Sequence, residues 1–197
     1  MAKRPLDTSL LDRAIVFAVR AHAGTERRGK GFPYIVHPME AVEIVATMTS
    51  DQELLAAAVL HDTVEDTDTT LEQLRQEFGQ RVAELVASES DIIPEDLSKT
   101  ESWFARKQDA MQRLAAASRD AKIVALGDKL SNMRAIARDF AAQGEALWNQ
   151  FNVRDPKAHE WRYRGLVEAL SELADTAAYQ EFRRLVEQVF QPKADTL

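Results

Sequence analysis

The sequence predicts an all-α protein, a helical bundle of about ten helices in a single domain that spans residues 1–197, with its core at about residues 8–190. Gly (7) and Pro (6) are scarce for 197 residues, which disfavours the many turns of a β architecture. No stretch of useful length alternates apolar and polar residues, whereas apolar residues recur at helical spacing along most of the chain.

The first half of the chain carries start and stop residues typical of helices. Gly24 can end the first helix, Pro38 fits the first turn of the second, and Ser50 or Asp51 can cap the third. Thr70 opens a capping-box pattern for a short helix that ends near residue 79. The expected helices are one at 10–23, one that has Pro38 in its first turn and runs to about residue 48, and one leading from residue 51 into residues 60–67. Two more are expected at 70–79 and around Val82, Leu85 and Val86.

The second half predicts longer helices, with a loop at 91–100 before them and frayed residues at 192–197. In the helix 101–117 we expect Trp103, Phe104, Met111 and Leu114 to face the core and Arg106, Lys107 and Arg113 to lie among the polar positions. The other expected helices are one from about residue 120 through Ile136, a short one at Trp148 and Phe151, 156–173, and 176–190.

Composition excludes several classes of protein. The absence of cysteine removes disulfides and thiolate zinc sites and fits a reducing cytoplasm. No apolar run approaches the ~18–20 residues of a membrane span. The net charge of −7 disfavours a general nucleic-acid binder, so we expect neither membrane nor nucleic acid as a partner. The sequence leaves the oligomeric state open.

Residues 60–67 place a histidine and three carboxylates directly after the apolar run 54–60. If the helix of that run continues, His61 and Glu65 lie four residues apart on one face, and so do Asp62 and Asp66. Unpaired buried carboxylates are costly, and a bound cation would stabilise them. The stretch therefore indicates half of a metal site, with an acidic, solvated helix end as the alternative.

Two further residues suit the same site. His37 precedes Pro38, which restrains its backbone, and Asp128 lies inside an otherwise apolar helix, where a carboxylate needs a partner. Together with His61 and Asp62 they offer two imidazoles and two carboxylates, a mixed set that suits octahedral Mn²⁺ or Fe²⁺ better than tetrahedral zinc. Of the remaining histidines, we expect His22 in the core and His159 at the surface.

The order His … His-Asp … Asp resembles the signature of the HD phosphohydrolase superfamily. Five blocks closely resemble the hydrolase domain of RelA/SpoT homologues, over about residues 8–190, and the length matches their stand-alone small alarmone hydrolases. The blocks are residues 20–24, the Arg27-Arg28 loop, 33–38, 60–67 and 128–134.

The resemblance implies a cytoplasmic enzyme that removes the 3′-pyrophosphate from (p)ppGpp-like nucleotides with one Mn²⁺ ion. By position, the residues that would bind the metal are His37, His61, Asp62 and Asp128. Glu65 and Asp66 match the family's catalytic pair, and which of them is the base stays open. A cation lowers the pKa of bound water, and a nearby carboxylate can accept the proton.

The resemblance also implies contacts to the nucleotide. Arg27 and Arg28 match the loop that contacts the base and the phosphates, with a solvated turn as the alternative. Asn132 matches a nucleoside-contacting position. Lys107 and Arg154 are expected to reach the pyrophosphate. Loop 25–32 is one residue longer than the common bacterial form and lacks its usual Gln, and a Tyr found after the Arg154 position in some relatives is absent. An adenine alarmone, (p)ppApp, is therefore an alternative to (p)ppGpp.

Two other functions remain open at the level of sequence. One is an HD-type phosphomonoesterase that acts on deoxynucleoside monophosphates and needs little from Arg27 and Arg28. The other is a catalytically silent nucleotide-binding regulator, which the intact Glu65 and Asp66 disfavour.

Overall fold

The structure, a computed structural model, describes residues 7–27, 29–89 and 102–191. Its described part contains α-helices, two short 3₁₀ helices and a single isolated bridge between Glu26 and Pro33, which confirms the all-α class. The α-helices are α1 (Ser9–Ala21), α2 (Val36–Ala46), α3 (Gln52–Leu60), α4 (Thr63–Asp66), α5 (Leu71–Phe78), α6 (Gln80–Glu89), α7 (Trp103–Ala116), α8 (Arg119–Gln143), α9 (Pro156–Ala169) and α10 (Ala177–Val189). The 3₁₀ helices are Gly144–Gln150 and Ser171–Leu173.

These elements group into two compact units, each with its own core. The first unit contains α1 to α6 and the segment Ile123–Asp128 of α8. The second contains α7, the rest of α8 and all later elements. The expectation of a single domain stays a prediction.

Helix α3 is the centre of the first unit, because α1, α2 and α6 all pack against it. The apolar run predicts this position: every residue from Leu54 to Leu60 is buried. Asp51 begins the helix by accepting a hydrogen bond from the backbone N–H of Glu53. Truncating one of the fully buried leucines would cost about 2–5 kcal/mol.

Helix α3 ends at Leu60 and α4 begins at Thr63, so the helix of the apolar run does not continue unbroken through residues 60–67. The buried hydroxyl of Thr63 donates to the carbonyl of Leu60 at 2.7 Å and satisfies the end of α3. The backbone of His61 and Asp62 stays near helical angles between the two helices. Helix α2 begins at Val36 and includes Pro38 within its first turn, as expected.

The second unit is built around aromatic rings. Helix α7 packs on α9, and α9 packs on α10. The Trp148 ring stacks on His159 (centroids 5.0 Å apart) and on Phe190 (5.6 Å). His159 is buried, and its Nε2 lies 2.7 Å from the carbonyl of Val153, so the expectation of a surface histidine is wrong.

Two aromatic side chains of the second unit lie at the surface, and one of them, Phe104, was expected to face the core. Phe104 is 53% exposed and Trp161 is 38% exposed, and their ring centroids lie 5.3 Å apart. Arg106, expected among the polar positions of α7, is buried and donates to the hydroxyl of Ser102 at 3.1 Å. The buried face of α7 is therefore rotated toward Trp103 and Arg106. The frayed segment expected at 192–197 lies outside the described residues.

Within residues 7–27, 29–89 and 102–191, no helix has the length and apolar character needed to cross a bilayer.

Candidate metal centre

Three separate backbone segments of the first unit carry the residues that the sequence grouped. His37 lies in the first turn of α2, His61 and Asp62 form the turn between α3 and α4, and Asp128 lies within α8. His37, His61 and Asp128 are buried, whereas Asp62 is partly exposed. Each side chain is thus fixed by a buried helix or by the short turn that follows one.

Their polar atoms converge on one point. The Nε2 atom of His37 lies 3.1 Å from Oδ1 of Asp128 and 3.5 Å from Oδ2 of Asp62. The Nε2 atom of His61 lies 2.9 Å from Oδ2 of Asp62 and 3.5 Å from Oδ1 of Asp128. One ligand atom from each of His37, His61 and Asp128 lies within 4.8 Å of the others, a spacing that can hold a metal ion.

The tautomer of His61 is suited to metal binding. Its Nδ1 lies 2.8 Å from the carbonyl of Ala58, and a carbonyl only accepts, so Nδ1 carries the proton. In the neutral ring Nε2 then presents a lone pair toward the carboxylates. This Nε2 is buried and makes no hydrogen bond to any part of the chain that the structure describes, despite its short distance to Asp62. The donor set therefore fits a divalent cation.

The electrostatics of the cluster also favour a cation. Burial opposes the charge on Asp62, but the neighbouring His61 and His37 outweigh it and lower the pKa of Asp62. Burial likewise opposes a charge on His61, but Asp62 and Asp128 outweigh it and raise the pKa of His61. The carboxylates thus attract positive charge to this point, and a metal ion would replace a proton on His61.

Gly127 allows α8 to come close enough to α2. A Cβ atom at this position would lie 2.6 Å from Cγ2 of Val45 and 2.9 Å from the carbonyl oxygen of Ala41. Both contacts belong to α2, the helix that carries His37, and Gly127 directly precedes Asp128. The missing side chain therefore sets the short distance between His37 and Asp128. The sequence interpretation assigned no role to this glycine.

Tyr34 is a second residue that the sequence interpretation missed. Its hydroxyl donates to Oδ2 of Asp62 at 2.6 Å. Burial, and then the charge of Asp62, raise the pKa of Tyr34, so the phenol keeps its proton. The Tyr34 ring lies 4.8 Å from the ring of His22, whose two nitrogens make no hydrogen bond within the described residues. Burial lowers the pKa of His22, and its expected place in the core is confirmed.

The expected catalytic pair lies next to these residues in the chain. Glu65 and Asp66 form the last turn of α4, and both are exposed. The backbone N–H of Asp66 donates to the carbonyl of Asp62 at 2.9 Å, which fixes the start of α4 relative to the ligand turn. The charge of Asp66 also contributes to the raised pKa of Tyr34.

The residues expected to contact the substrate are divided between the two units, and one of them is not described. Arg27 belongs to the first unit, with its guanidinium carbon 5.2 Å from the centre of the Tyr34 ring. Arg28 lies outside the described residues. The others belong to the second unit, where Asn132 and Lys107 are half-buried and Arg154 is exposed. Their contact with a nucleotide stays a prediction.

Comparison with known proteins gives matches of sequence and of fold. A family model described as HD domain matches residues 14–156. The chain is 34% identical over 134 residues to the guanosine-3′,5′-bis(diphosphate) 3′-pyrophosphohydrolase of Aquifex aeolicus, which covers 67% of this chain and 18% of the relative. It is 35% identical over 136 residues to the GTP pyrophosphokinase rsh of Brucella ovis, with 68% and 18% covered.

The fold also matches a solved structure. A metazoan orthologue of SpoT, described as hydrolysing ppGpp, superposes with a TM-score of 0.74 and 24% identity, covering 94% of this chain and 98% of the other. This match supports the helical fold. The chain spans about a fifth of the length of the two curated relatives described above.

Proposed function

Because this chain belongs to the HD domain family, we propose that it is a metal-dependent 3′-pyrophosphohydrolase of nucleotide alarmones such as ppGpp. One observation carries the proposal: two imidazole nitrogens and two carboxylates meet at distances of 2.9–3.5 Å in a cluster that precedes Glu65 and Asp66 in the chain or lies across from them in α2 and α8. The Aquifex aeolicus relative is named for this activity, and its similarity to two thirds of this chain supports the assignment.

We propose one Mn²⁺ ion held by His37, His61, Asp62 and Asp128. Two nitrogen and two oxygen donors leave positions open in an octahedral shell, which suits Mn²⁺ better than a closed tetrahedral zinc site. A bound divalent cation would supply charge neutralisation for the phosphates and lower the pKa of a water molecule. The chain's part is to fix the four donors and, through the Ala58 carbonyl, the tautomer of His61.

Glu65 and Asp66 are proposed to handle the proton. Water attacks the phosphorus bonded to the 3′ oxygen, and the bond between that phosphorus and the 3′ oxygen breaks. The 3′ oxygen takes up a proton and becomes a hydroxyl, so that ppGpp yields a nucleoside 5′-diphosphate and pyrophosphate. One of the two exposed carboxylates accepts the proton of the attacking water. Both lie on the turn that follows Asp62, so either is placed to act, and which one is the base stays open.

Arg27 is proposed to contact the base or phosphates, because a guanidinium both stacks and pairs with phosphate oxygens. We propose Arg28, Asn132, Lys107 and Arg154 as further contacts on the basis of the resemblance alone. The resemblance implies that loop 25–32 contacts the base, and its departure from the common bacterial form keeps ppApp as an alternative substrate to ppGpp.

The decisive experiment is a substrate panel with a metal panel. Purified protein is incubated with ppGpp, ppApp or deoxynucleoside monophosphates, with Mn²⁺, Fe²⁺, Zn²⁺ or EDTA, and pyrophosphate and phosphate are measured. We expect pyrophosphate from an alarmone with Mn²⁺ only. Asp128→Asn should abolish release, whereas Asp175→Asn, an exposed aspartate of the second unit, should not.

The other outcomes separate the rival functions. Phosphate release from monophosphates alone would assign a phosphomonoesterase. Tight alarmone binding without any product would assign a silent regulator and defeat the proposal.

A further inference from the structure

Tyr34 contacts both Asp62, a proposed metal ligand, and Arg27, a proposed substrate contact. It lies at the end of loop 25–34, where its backbone N–H donates to the carbonyl of Thr25 at 2.8 Å. Its hydroxyl donates to Oδ2 of Asp62, and the guanidinium carbon of Arg27 lies 5.2 Å from its ring centre. One side chain thus contacts a proposed metal ligand and a proposed substrate contact.

The hydroxyl contact is directional. A carboxylate oxygen only accepts, so the O–H at 2.6 Å must donate to Oδ2 of Asp62. The same oxygen lies 2.9 Å from Nε2 of His61 and 3.5 Å from Nε2 of His37. Asp62 is the least buried of the four ligands, so packing restrains it least and an outer hydrogen bond matters most for it.

The ring contact acts on the loop. A guanidinium within about 6 Å of an aromatic ring centre is attracted to the face of the ring. Arg27 directly follows Glu26, which pairs with Pro33 in the isolated bridge. Tyr34 is therefore linked to this loop by its backbone, through Thr25, and by its ring, through Arg27. A displacement of Arg27 would therefore also displace Tyr34, whose hydroxyl donates to Asp62.

We propose that Tyr34 is a positioning residue: its hydroxyl holds Asp62 in the geometry that binds the divalent ion, and its ring ties the Arg27 loop to that ion. The second half of this statement rests on the proposed function, because it assumes that Arg27 contacts the nucleotide. The first half concerns metal binding alone.

The test compares Tyr34→Phe with a matched control, Tyr179→Phe. The hydroxyl of Tyr179 also donates to an oxygen, the carbonyl of Val167 at 3.0 Å, but it belongs to the second unit. Mn²⁺ affinity is measured from the electron paramagnetic resonance signal of free Mn²⁺, without substrate. We expect Tyr34→Phe to weaken Mn²⁺ binding about 10–100-fold and Tyr179→Phe to leave it within about twofold.

A second comparison isolates the partner. In an Asp62→Ala background, where the Tyr34 hydroxyl has no side-chain oxygen at residue 62 to donate to, Tyr34→Phe should have no further effect on Mn²⁺ affinity, because the two residues act as one unit. An equal Mn²⁺ affinity of Tyr34→Phe and wild type overturns the proposal. A Tyr34→Phe chain that fails to fold by circular dichroism also overturns it, because the hydroxyl would then serve the fold.

Kinetics tests the link to the loop. Tyr34→Phe keeps the ring, so it should leave KM within about twofold of wild type. Its kcat should be lower than that of wild type at limiting Mn²⁺ and should recover at excess Mn²⁺. Tyr34→Leu should also raise KM, and adding Arg27→Ala to it should raise KM no further. Fully additive KM effects overturn the link. A wild type that binds Mn²⁺ and cleaves no alarmone defeats the proposed function and leaves the metal-binding test intact.

Discussion

Replacing Gly127 by alanine tests whether close packing of α8 on α2 sets the geometry of the metal centre. The added Cβ would meet the Ala41 carbonyl oxygen at 2.9 Å and Cγ2 of Val45 at 2.6 Å, where ordinary contacts are 3.4–4 Å. A backbone carbonyl cannot rotate away, so the two helices must separate by several tenths of an ångström. Because His37 is on α2 and Asp128 follows Gly127, the 3.1 Å distance between their polar atoms must lengthen.

The magnitude follows from two opposing effects. Overpacking costs about 1–3 kcal/mol, and alanine in a helix gains about 1 kcal/mol over glycine. We therefore expect a net loss of about 0–2 kcal/mol in the free energy of unfolding, together with a loss of Mn²⁺ affinity of about tenfold or more. Urea unfolding gives the first quantity, and titration with Mn²⁺ followed by electron paramagnetic resonance gives the second.

Gly165 provides the matched control. It also lies inside a helix, α9, and a Cβ there would lie 2.5 Å from Sδ of Met111. A methionine side chain can adopt another rotamer, so Gly165→Ala should be neutral or stabilising by up to about 1 kcal/mol and should leave Mn²⁺ affinity unchanged. Wild-type Mn²⁺ affinity in Gly127→Ala would refute the view that this contact sets the ligand geometry.

Three further predictions concern the metal and the stability of each unit. Removal of divalent metal with EDTA should lower the melting temperature by about 5–10 °C relative to protein with free metal at 100 times its Kd, because binding at that concentration adds about 2.7 kcal/mol to the free energy of unfolding. Calorimetry should show no such difference for Asp128→Asn. Burial lowers the pKa of His159, so the unfolded chain binds its proton at higher pH than the folded chain. Stability should therefore fall as the pH drops below about 6.5. His159→Phe should reduce the steepest slope of the unfolding free energy against pH by up to about 1.4 kcal/mol per pH unit. An unchanged slope would contradict this reasoning. Asp51→Ala removes the cap of α3 and one partner of Arg81, so urea unfolding should show a loss of about 1–2 kcal/mol, and a change below about 0.3 kcal/mol would show that the cap is not needed.

The sequence was most informative where residue type and local order decide the outcome. The apolar run before His61 predicts a buried helix because no polar position interrupts it, and α3 is fully buried there. The structure also brings His37, His61, Asp62 and Asp128 together as the sequence grouped them. Their binding of a metal stays a prediction.

Errors arose where charged neighbours hid the helical period. His159 lies between Lys157, Glu160 and Arg162, which suggested a surface position. Its spacing to Tyr163 and Leu166, both buried, places it on the inward stripe of α9, and this pattern could have identified it. On the neighbouring α7 the opposite error occurred for Phe104, because apolar type alone does not decide which face is covered.

Other features depend on tertiary contacts that a sequence does not contain. Gly127 reads as an ordinary helical glycine until the carbonyl of Ala41 is found beside it. Tyr34 falls within a recognised block, but only its 2.6 Å hydrogen bond to Asp62 indicates what its hydroxyl does. The break between α3 and α4 likewise depends on the side-chain hydroxyl of Thr63 turning back to Leu60.

The first unit is discontinuous in sequence, because residues 123–128 of α8 complete a core otherwise made before residue 90. During synthesis, a ribosome must therefore translate past Asp128 before His37 and His61 have their full set of neighbours. A nascent chain released earlier would lack the carboxylate of Asp128, one of the four donors of the proposed metal site. We therefore expect such truncated products to bind Mn²⁺ more weakly than the 197-residue chain and to gain less stability from it.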